Sequence, residues 1–324
     1  MNIMAALKAN PTIRRIGKAV NTRRQFSDDA KDFNTFYVEE AEKNGDVRYS
    51  IMLLVHSLEK GMCFPNPRPF GFDKVSELMN LLSRYSEKQK CEFEYQLGVS
   101  VLFAWVDFFE KHGWQKETAF KKVREFLSDK ERNPNIVAGY KEYKPAVADP
   151  APYEEMYLSR HSVRDYQDKL IDPADIQFAL KCFVETPTAC NRQMCRVYYI
   201  KDQEIKDLLN GVVIGLPGFN KKTVQYFIIT YDLASFAYSG ERQQGFFNAG
   251  LCTMSFVNGL HAKGIGSCCL QWSNKRNEDV EVRTKLGLRD SERIGIVIGA
   301  GYYLDENVVP CSVRRKPEDV FRII

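Results

Sequence analysis

Metal-ligand spacing is missing from this chain. Its nine cysteines (positions 63, 91, 182, 190, 195, 252, 268, 269 and 311) include no CxxC pair, and its four histidines stand in no HExxH or HxxxH arrangement. No metal site is therefore expected, and an odd cysteine count without a framework reads as reduced, mostly buried thiols. Also lacking is any apolar run near the roughly 18 residues that cross a bilayer, which argues against a transmembrane helix. The opening stretch MNIMAALKANPTIRRIGKAV has no apolar core followed by a small-residue cleavage site, so a signal peptide is not expected and the cytoplasm is. Charge of one sign is missing too. With 46 Lys+Arg against 42 Asp+Glu the net charge is only +4, which gives nucleic acid no support.

What remains is a globular composition, 44% apolar and 27% charged, in a chain of 324 residues. That length holds one large domain or two ordinary ones. The first acidic residue is Asp28, after Lys8, Arg14, Arg15, Lys18, Arg23 and Arg24. With Ile3, Met4, Leu7, Ile13, Ile16 and Val20 between them, residues 1–24 could lie on an anionic membrane or a partner. Pro11 is expected to interrupt the segment, and a solvated, partly helical arm is the plainer reading. From Asp29 to about Asp129 the pattern is helical. RYSIMLLVHSLEKGM puts Ile51, Leu54, Val55 and Leu58 on one face, with Gly61 as a natural stop. CEFEYQLGVSVLFAWVDFFEKHGW is apolar on nearly every face, as a buried helix is. The proline-rich stretch from Tyr140 to Glu155 reads as a linker, which divides the chain into a helical domain over 1–150 and a second domain over 151–324. In the second, helix and strand signals alternate: PADIQFALKCFVE, RVYYI, TVQYFIITYD, GFFNAGLCTMSFVNGLHAKG, GIGSCCLQW, NEDVEVRTKLGL and ERIGIVIGAGYY. An α+β or α/β sheet covered by helices is expected.

Two guanidiniums flank a hydroxyl in SRHSVRDY, where Arg160, Ser162 and Arg164 alternate. On an extended segment they face one way and make a pocket suited to a phosphate dianion. By itself the run reads more readily as a strand's solvent face. ETPTACNRQMCRVYYI carries Thr188 and Asn191 on a turn between helix and strand, donors and acceptors that suit a planar heterocycle. HAKGIGSCCLQWSN brings backbone amides close to something flat, and VPCSVRRKPEDVF places Arg314 and Arg315 after the last strand.

Taken in order, these stretches resemble the FMN-dependent nitroreductase superfamily from about Glu155 onward. SRHSVRDY is similar to its R-x-S-x-[RK]-x-[FY] opening, TPTACNRQ to its P-[ST]-x-x-N-x-Q turn, and FNAGLCTMSFVNGLHAKGIGSCCL to its central helix running into G-[IL]-G-S. LGLRDSERIGIVIGAGYY and RRKPEDV resemble its closing motifs. The resemblance implies an α+β fold with a mixed β-sheet flanked by helices, here preceded by a mostly helical N-terminal domain. It further implies that Arg160, His161, Ser162 and Arg164 bind the FMN phosphate and ribityl chain, with Arg315 reaching the phosphate. Thr188, Asn191 and Gln193 would line the cofactor, and Gln271 and Trp272 would neighbour flavin N5. The stretch HSLEKGM…NPRPFGF resembles an N-terminal extension of nitroreductase-like proteins encoded with bacterial surface-polysaccharide genes. His56, Glu59 and Lys60 would share a helical face there, a second site or simply a capped helix end.

The departures from the family pattern bear on substrate. About 27 residues separate the starts of RVYYI and TVQYFIITYD, little room for helices. The cap is shortened to LASFAYSGERQQG, where Tyr238, Glu241 and Arg242 could reach a substrate. A basic residue near flavin N1 is unassigned, with Lys221 and Lys222 as candidates, and Trp272 could narrow the pocket. The expectation is an FMN oxidoreductase working by a ping-pong mechanism, NADH or NADPH to a small organic acceptor, as a homodimer. The alternatives are a flavin-dependent dehydrogenase or oxidase acting on a biosynthetic, polysaccharide-related intermediate, and a non-catalytic flavin-fold adaptor.

Overall fold

The structure is a computed structural model that describes residues 10–145 and 148–324. Its N-terminal part is helical. Helix α1 (Pro11–Phe36) is opened, not interrupted, by Pro11. The Asn10 side chain accepts from the N–H groups of Thr12 and Ile13, and a proline in the first turn lacks only a donor that would be orphaned anyway. Helices α2 (Val38–Lys43), α3 (Arg48–Met62), α4 (Phe72–Leu82), α5 (Phe93–Lys111) and α6 (Thr118–Phe126) follow. The last four pack around Leu58, Leu78, Trp105 and Phe109 in a core of their own. Gly61 lies inside α3 rather than ending it, because a Cβ there would sit 2.2 Å from the Phe70 ring. Close packing, not a stop, is its role.

Helix α7 (Ala151–Ser159) begins within the stretch read as a linker, with Pro150 at its N-cap. Then come α8 (Pro173–Val184), β1 (Cys195–Ile200), α9 (Gln203–Val212), β2 (Gln225–Asp232), α10 (Gln244–Ala262), β3 (Ile265–Leu270), α11 (Arg276–Lys285), β4 (Glu292–Tyr302) and the short α12 (Pro317–Val320). The room between β1 and β2 does hold a helix. Helix α9 starts at once, capped by the Asp202 carboxylate on the Ile205 N–H.

The sheet runs β1-β2-β4-β3, each neighbouring pair antiparallel. Ser162 adds a parallel bridge to Ser267 on the outer edge of β3. Every residue of β2 is buried, since helices cover both faces. One face packs α8 and α10 through Ala179, Phe183, Phe256 and Leu260, and Phe33, Val38, Tyr49 and Met52 of the helical part join this same core. The other face packs α9 and α11 through Leu209 and Val282, together with Val163 and Tyr166. Part of the helical region thus shares the core of the sheet, while α3–α6 also have a core of their own. No helix of the described residues is long and apolar enough to cross a membrane.

Candidate functional site

The Arg160–Arg164 run is extended, as its alternation predicts. Arg160 caps α7 with φ −71° and ψ 120°, which turns the chain out of the helix. Three residues on, the Val163 N–H donates to Ser267 O at 3.1 Å and ties the run to β3. Val163 and Tyr166 are buried beneath it, and the Tyr166 hydroxyl lies 2.6 Å from Val163 O and 3.0 Å from Gly299 O. Arg160, Ser162 and Arg164 stay half-buried while His161 is exposed. Arg164 Nη1 donates to Ser162 O at 3.2 Å. Among the described residues no carboxylate pairs with Arg160 or Arg164, although nearly every other half-buried arginine of the chain has one. Two part-buried cations without a carboxylate partner are suited in charge to an anion.

The turn after α8 is strained. Cys190, Asn191 and Gln193 have φ of 52°, 51° and 49°, a region that side chains with a Cβ avoid at a cost of about 1 kcal/mol or more each. The surroundings impose it. Thr188 accepts at its carbonyl from the Asn191 N–H and at Oγ1 from the Gln193 N–H, each at 2.9 Å. Asn248 of α10, almost wholly buried, accepts the Ala189 N–H at 2.9 Å. Arg192 is completely buried: Nε donates to Ala189 O, Nη1 to Ser235 O, and the fork closes on Glu241 at 3.0 and 2.6 Å. Asn191 and Gln193 are left exposed, and no protein hydrogen bond ends on their side chains among the described residues. Helix α3 lies against this turn.

Beyond β3, Gln271 is exposed and Trp272 half-buried. The indole N–H of Trp272 donates to Asp279 of α11 at 2.8 Å, so the ring is committed to the helix beside it. Two residues further, both polar atoms of the Asn274 side chain are buried and unpartnered. Arg315 is exposed on the segment after β4, which is held back to the run by Asn307 Nδ2 donating to Asp165 O at 3.2 Å. No hydrogen bond joins Arg315 to Arg160–Arg164 among the described residues. Lys221 donates to Asn210 O. Glu59 accepts the Gly139 N–H at 3.2 Å, and burial raises its pKa despite that bond, while burial and Lys60 lower that of His56. This favours the structural reading of that helix face.

Glu241, which from sequence could reach a substrate with Tyr238 and Arg242, is the counter-ion of Arg192. Burial alone would raise its pKa, but the bonds from Arg192 and the Ala237 N–H hold it below the usual range. Arg242 lines a cleft of about 570 Å³ walled by Phe26, Phe33, Tyr231, Phe246 and Phe247. Arg192 and Asn248 were not singled out from sequence. Asn248 alone left a signal, as a polar residue within an apolar helical pattern.

The chain from residue 157 to 302 matches the model of the nitroreductase family. The matched stretch is less than half of the chain. It opens on the Arg160–Arg164 run, ends with β4, and is preceded by helices over residues 11–126. Solved structures resemble this part of the chain. A nitroreductase family protein of Streptococcus pneumoniae is 21% identical, covering 53% of this chain and 100% of that one with a TM-score of 0.44. A protein of Desulfovibrio desulfuricans described as a nitroreductase in complex with FMN is 19% identical, covering 52% and 95% with a TM-score of 0.45. One of Staphylococcus epidermidis described as an NAD(P)H:FMN oxidoreductase is 14% identical, covering 57% and 100% with a TM-score of 0.46. No curated protein matches the chain. The residues of the matched stretch fit FMN in kind: guanidiniums that have no carboxylate partner among the described residues, with a hydroxyl, suit a phosphate, and the Asn191 and Gln193 amides suit a hydrogen-bonding ring edge. No cluster of described residues could hold a metal ion.

Proposed function

We propose that the chain is an FMN-dependent oxidoreductase that passes reducing equivalents from NADH or NADPH to a small organic acceptor in two half-reactions at one site. The observation that carries this reading is the Arg160–Arg164 run, laid along the edge of β3 with its guanidiniums paired to no carboxylate among the described residues. FMN bound there would supply the ring that accepts and donates hydride. The chain's own residues do the rest. Arg160, His161, Ser162 and Arg164 hold the phosphate and ribityl chain, and Arg315 completes that site. Thr188 braces the turn that presents Asn191 and Gln193 to the ring edge. Its strain is set by folding, so these groups need no ordering on binding. Gln271 and Trp272 border the reacting edge, with Trp272 fixed by Asp279.

Several finer assignments belong to the same reading. The division at residue 150 separates a helical domain from the flavin domain. A homodimer is supported by Phe247, Leu251 and Met254, which are exposed along one face of α10. Nine free cysteines suit the reducing cytoplasm. Peripheral membrane contact by residues 1–24 is supported over 10–24, which are exposed throughout and carry Arg14, Arg15, Lys18, Arg23 and Arg24; the first nine lie outside the described residues. Charge reversal at Arg14, Arg15 and Lys18 would then abolish sedimentation with anionic vesicles.

A second reading is favoured by α3 lying against the cofactor turn. A helical domain that walls the site suits one dedicated substrate, so a flavin-dependent dehydrogenase or oxidase of a biosynthetic intermediate, such as one in polysaccharide assembly, is the alternative. The visible spectrum of the purified protein before and after anaerobic NADH or NADPH separates these. Flavin bands that bleach support the reductase, and bound flavin that does not bleach supports the dedicated dehydrogenase. A protein that takes up no FMN overturns both and leaves a non-catalytic adaptor.

A further inference from the structure

We propose that His261 is a positioning residue for the phosphate end of the site: it pins Ser159 to Tyr303 and thereby sets where Arg160 and His161 stand. The inference rests on the FMN reading above. His261 occupies the last turn of α10. Its Nε2 lies 2.9 Å from Ser159 Oγ and its Nδ1 lies 2.8 Å from the Tyr303 hydroxyl, so both ring nitrogens are engaged and the imidazole cannot rotate without breaking a bond.

Each partner is itself placed. The Tyr303 ring packs over Gly266 of β3, where a Cβ would come within 2.9 Å of it. The Tyr303 carbonyl accepts from Gln167 Nε2 at 2.6 Å, so Tyr303 joins the helix end, the edge strand and the extended run. Ser159 is the last residue of α7 and directly precedes Arg160. From there the first backbone donation to the sheet is Val163 N–H to Ser267 O. Between these two anchors Ser162 bridges to Ser267 of β3, whereas among the described residues neither the Arg160 nor the His161 N–H donates to the sheet. The side-chain clamp on Ser159 therefore fixes the hinge that carries them. Burial, together with the neighbouring charges of Arg160 and His161, lowers the pKa of His261.

The experiment is flavin titration of the full-length protein by fluorescence, with FMN and with riboflavin, which lacks the phosphate. His261→Ala is expected to weaken FMN binding at least tenfold and riboflavin binding less than twofold, collapsing the preference for FMN. His261→Gln, which can reach one partner, should recover part of it, and Tyr303→Phe should lose part of it. Equal weakening of both flavins, or an unchanged preference, would overturn the positioning role and show His261 to be structural only. A wild-type protein that binds FMN no better than riboflavin would overturn the phosphate reading itself. The two failures are therefore distinct.

Discussion

Arg192 and Glu241 form a forked ion pair in which the guanidinium is entirely shielded from water while the carboxylate keeps 20% of its side-chain surface. The pair joins the strained turn before β1 to the short segment before α10. It explains how three left-handed residues persist where no glycine stands: the fork, the Ser235 carbonyl and Asn248 over-determine the backbone.

Removing Glu241 should therefore cost more than a surface charge would. Glu241→Ala strands a buried guanidinium, and a loss of about 3 kcal/mol is expected in urea unfolding. The pH dependence has a definite sign. The folded-state pKa of Glu241 is depressed below its ordinary 4.5, so its contribution is complete above that value and fades as pH falls through the folded pKa. The variant should lose that part of the acid sensitivity. An alanine variant within 0.5 kcal/mol of wild type would refute the account.

Asp32 should hold α1 to the sheet. It receives Arg276 at 3.0 and 2.8 Å and Arg293 at 2.8 Å. Burial opposes ionisation, but the two guanidiniums hold its pKa down. Asp32→Ala leaves Arg293 without its carboxylate in a mostly buried setting, and about 3 kcal/mol should be lost together with faster proteolysis of α1. Unchanged proteolysis would show that Phe33 and Val38 suffice.

Gly301 on β4 should be needed for the anion run. A Cβ there would stand 2.5 Å from the Tyr166 Cβ, and Tyr166 braces Val163 from below. Gly301→Ala is expected to cost about 1–3 kcal/mol by overpacking and to weaken FMN binding. Gly211, with nothing within 4 Å of its would-be Cβ, is the control: Gly211→Ala should be neutral or stabilising by about 0.5 kcal/mol. FMN affinity unchanged in Gly301→Ala would separate Tyr166 from the site.

Relaxing the turn should trade binding for stability. Cys190→Gly removes one left-handed penalty, worth about 0.5–1 kcal/mol, and also loosens the platform that presents Asn191. The melting temperature should rise while FMN affinity falls. A rise in both would show that the strain serves no binding role.

Much of this protein was legible in one dimension. Periodicity placed Ile51, Val55 and Leu58 inside α3, because burial of one helix face repeats locally. The spacing of Arg160, Ser162 and Arg164 gave the extended run for the same local reason. Caps were harder: Pro11 and Gly61 read as breaks, and only their surroundings show a helix start and a contact with Phe70.

The tertiary structure alone decided which polar groups are committed and which are free. Arg192 and Arg160 look alike as letters, yet one is buried against Glu241 and the other has no carboxylate partner among the described residues. Glu241 reads from sequence as open to a substrate, and in the fold its carboxylate closes on Arg192. His261 joins Ser159 and Tyr303, partners 102 and 42 positions away. Phe33 and Tyr49 complete a core built mostly from residues beyond 170. Pairing across such distances follows from how the helices and sheet close on one another, and that closure is set by the summed burial of many side chains rather than by any local run of sequence.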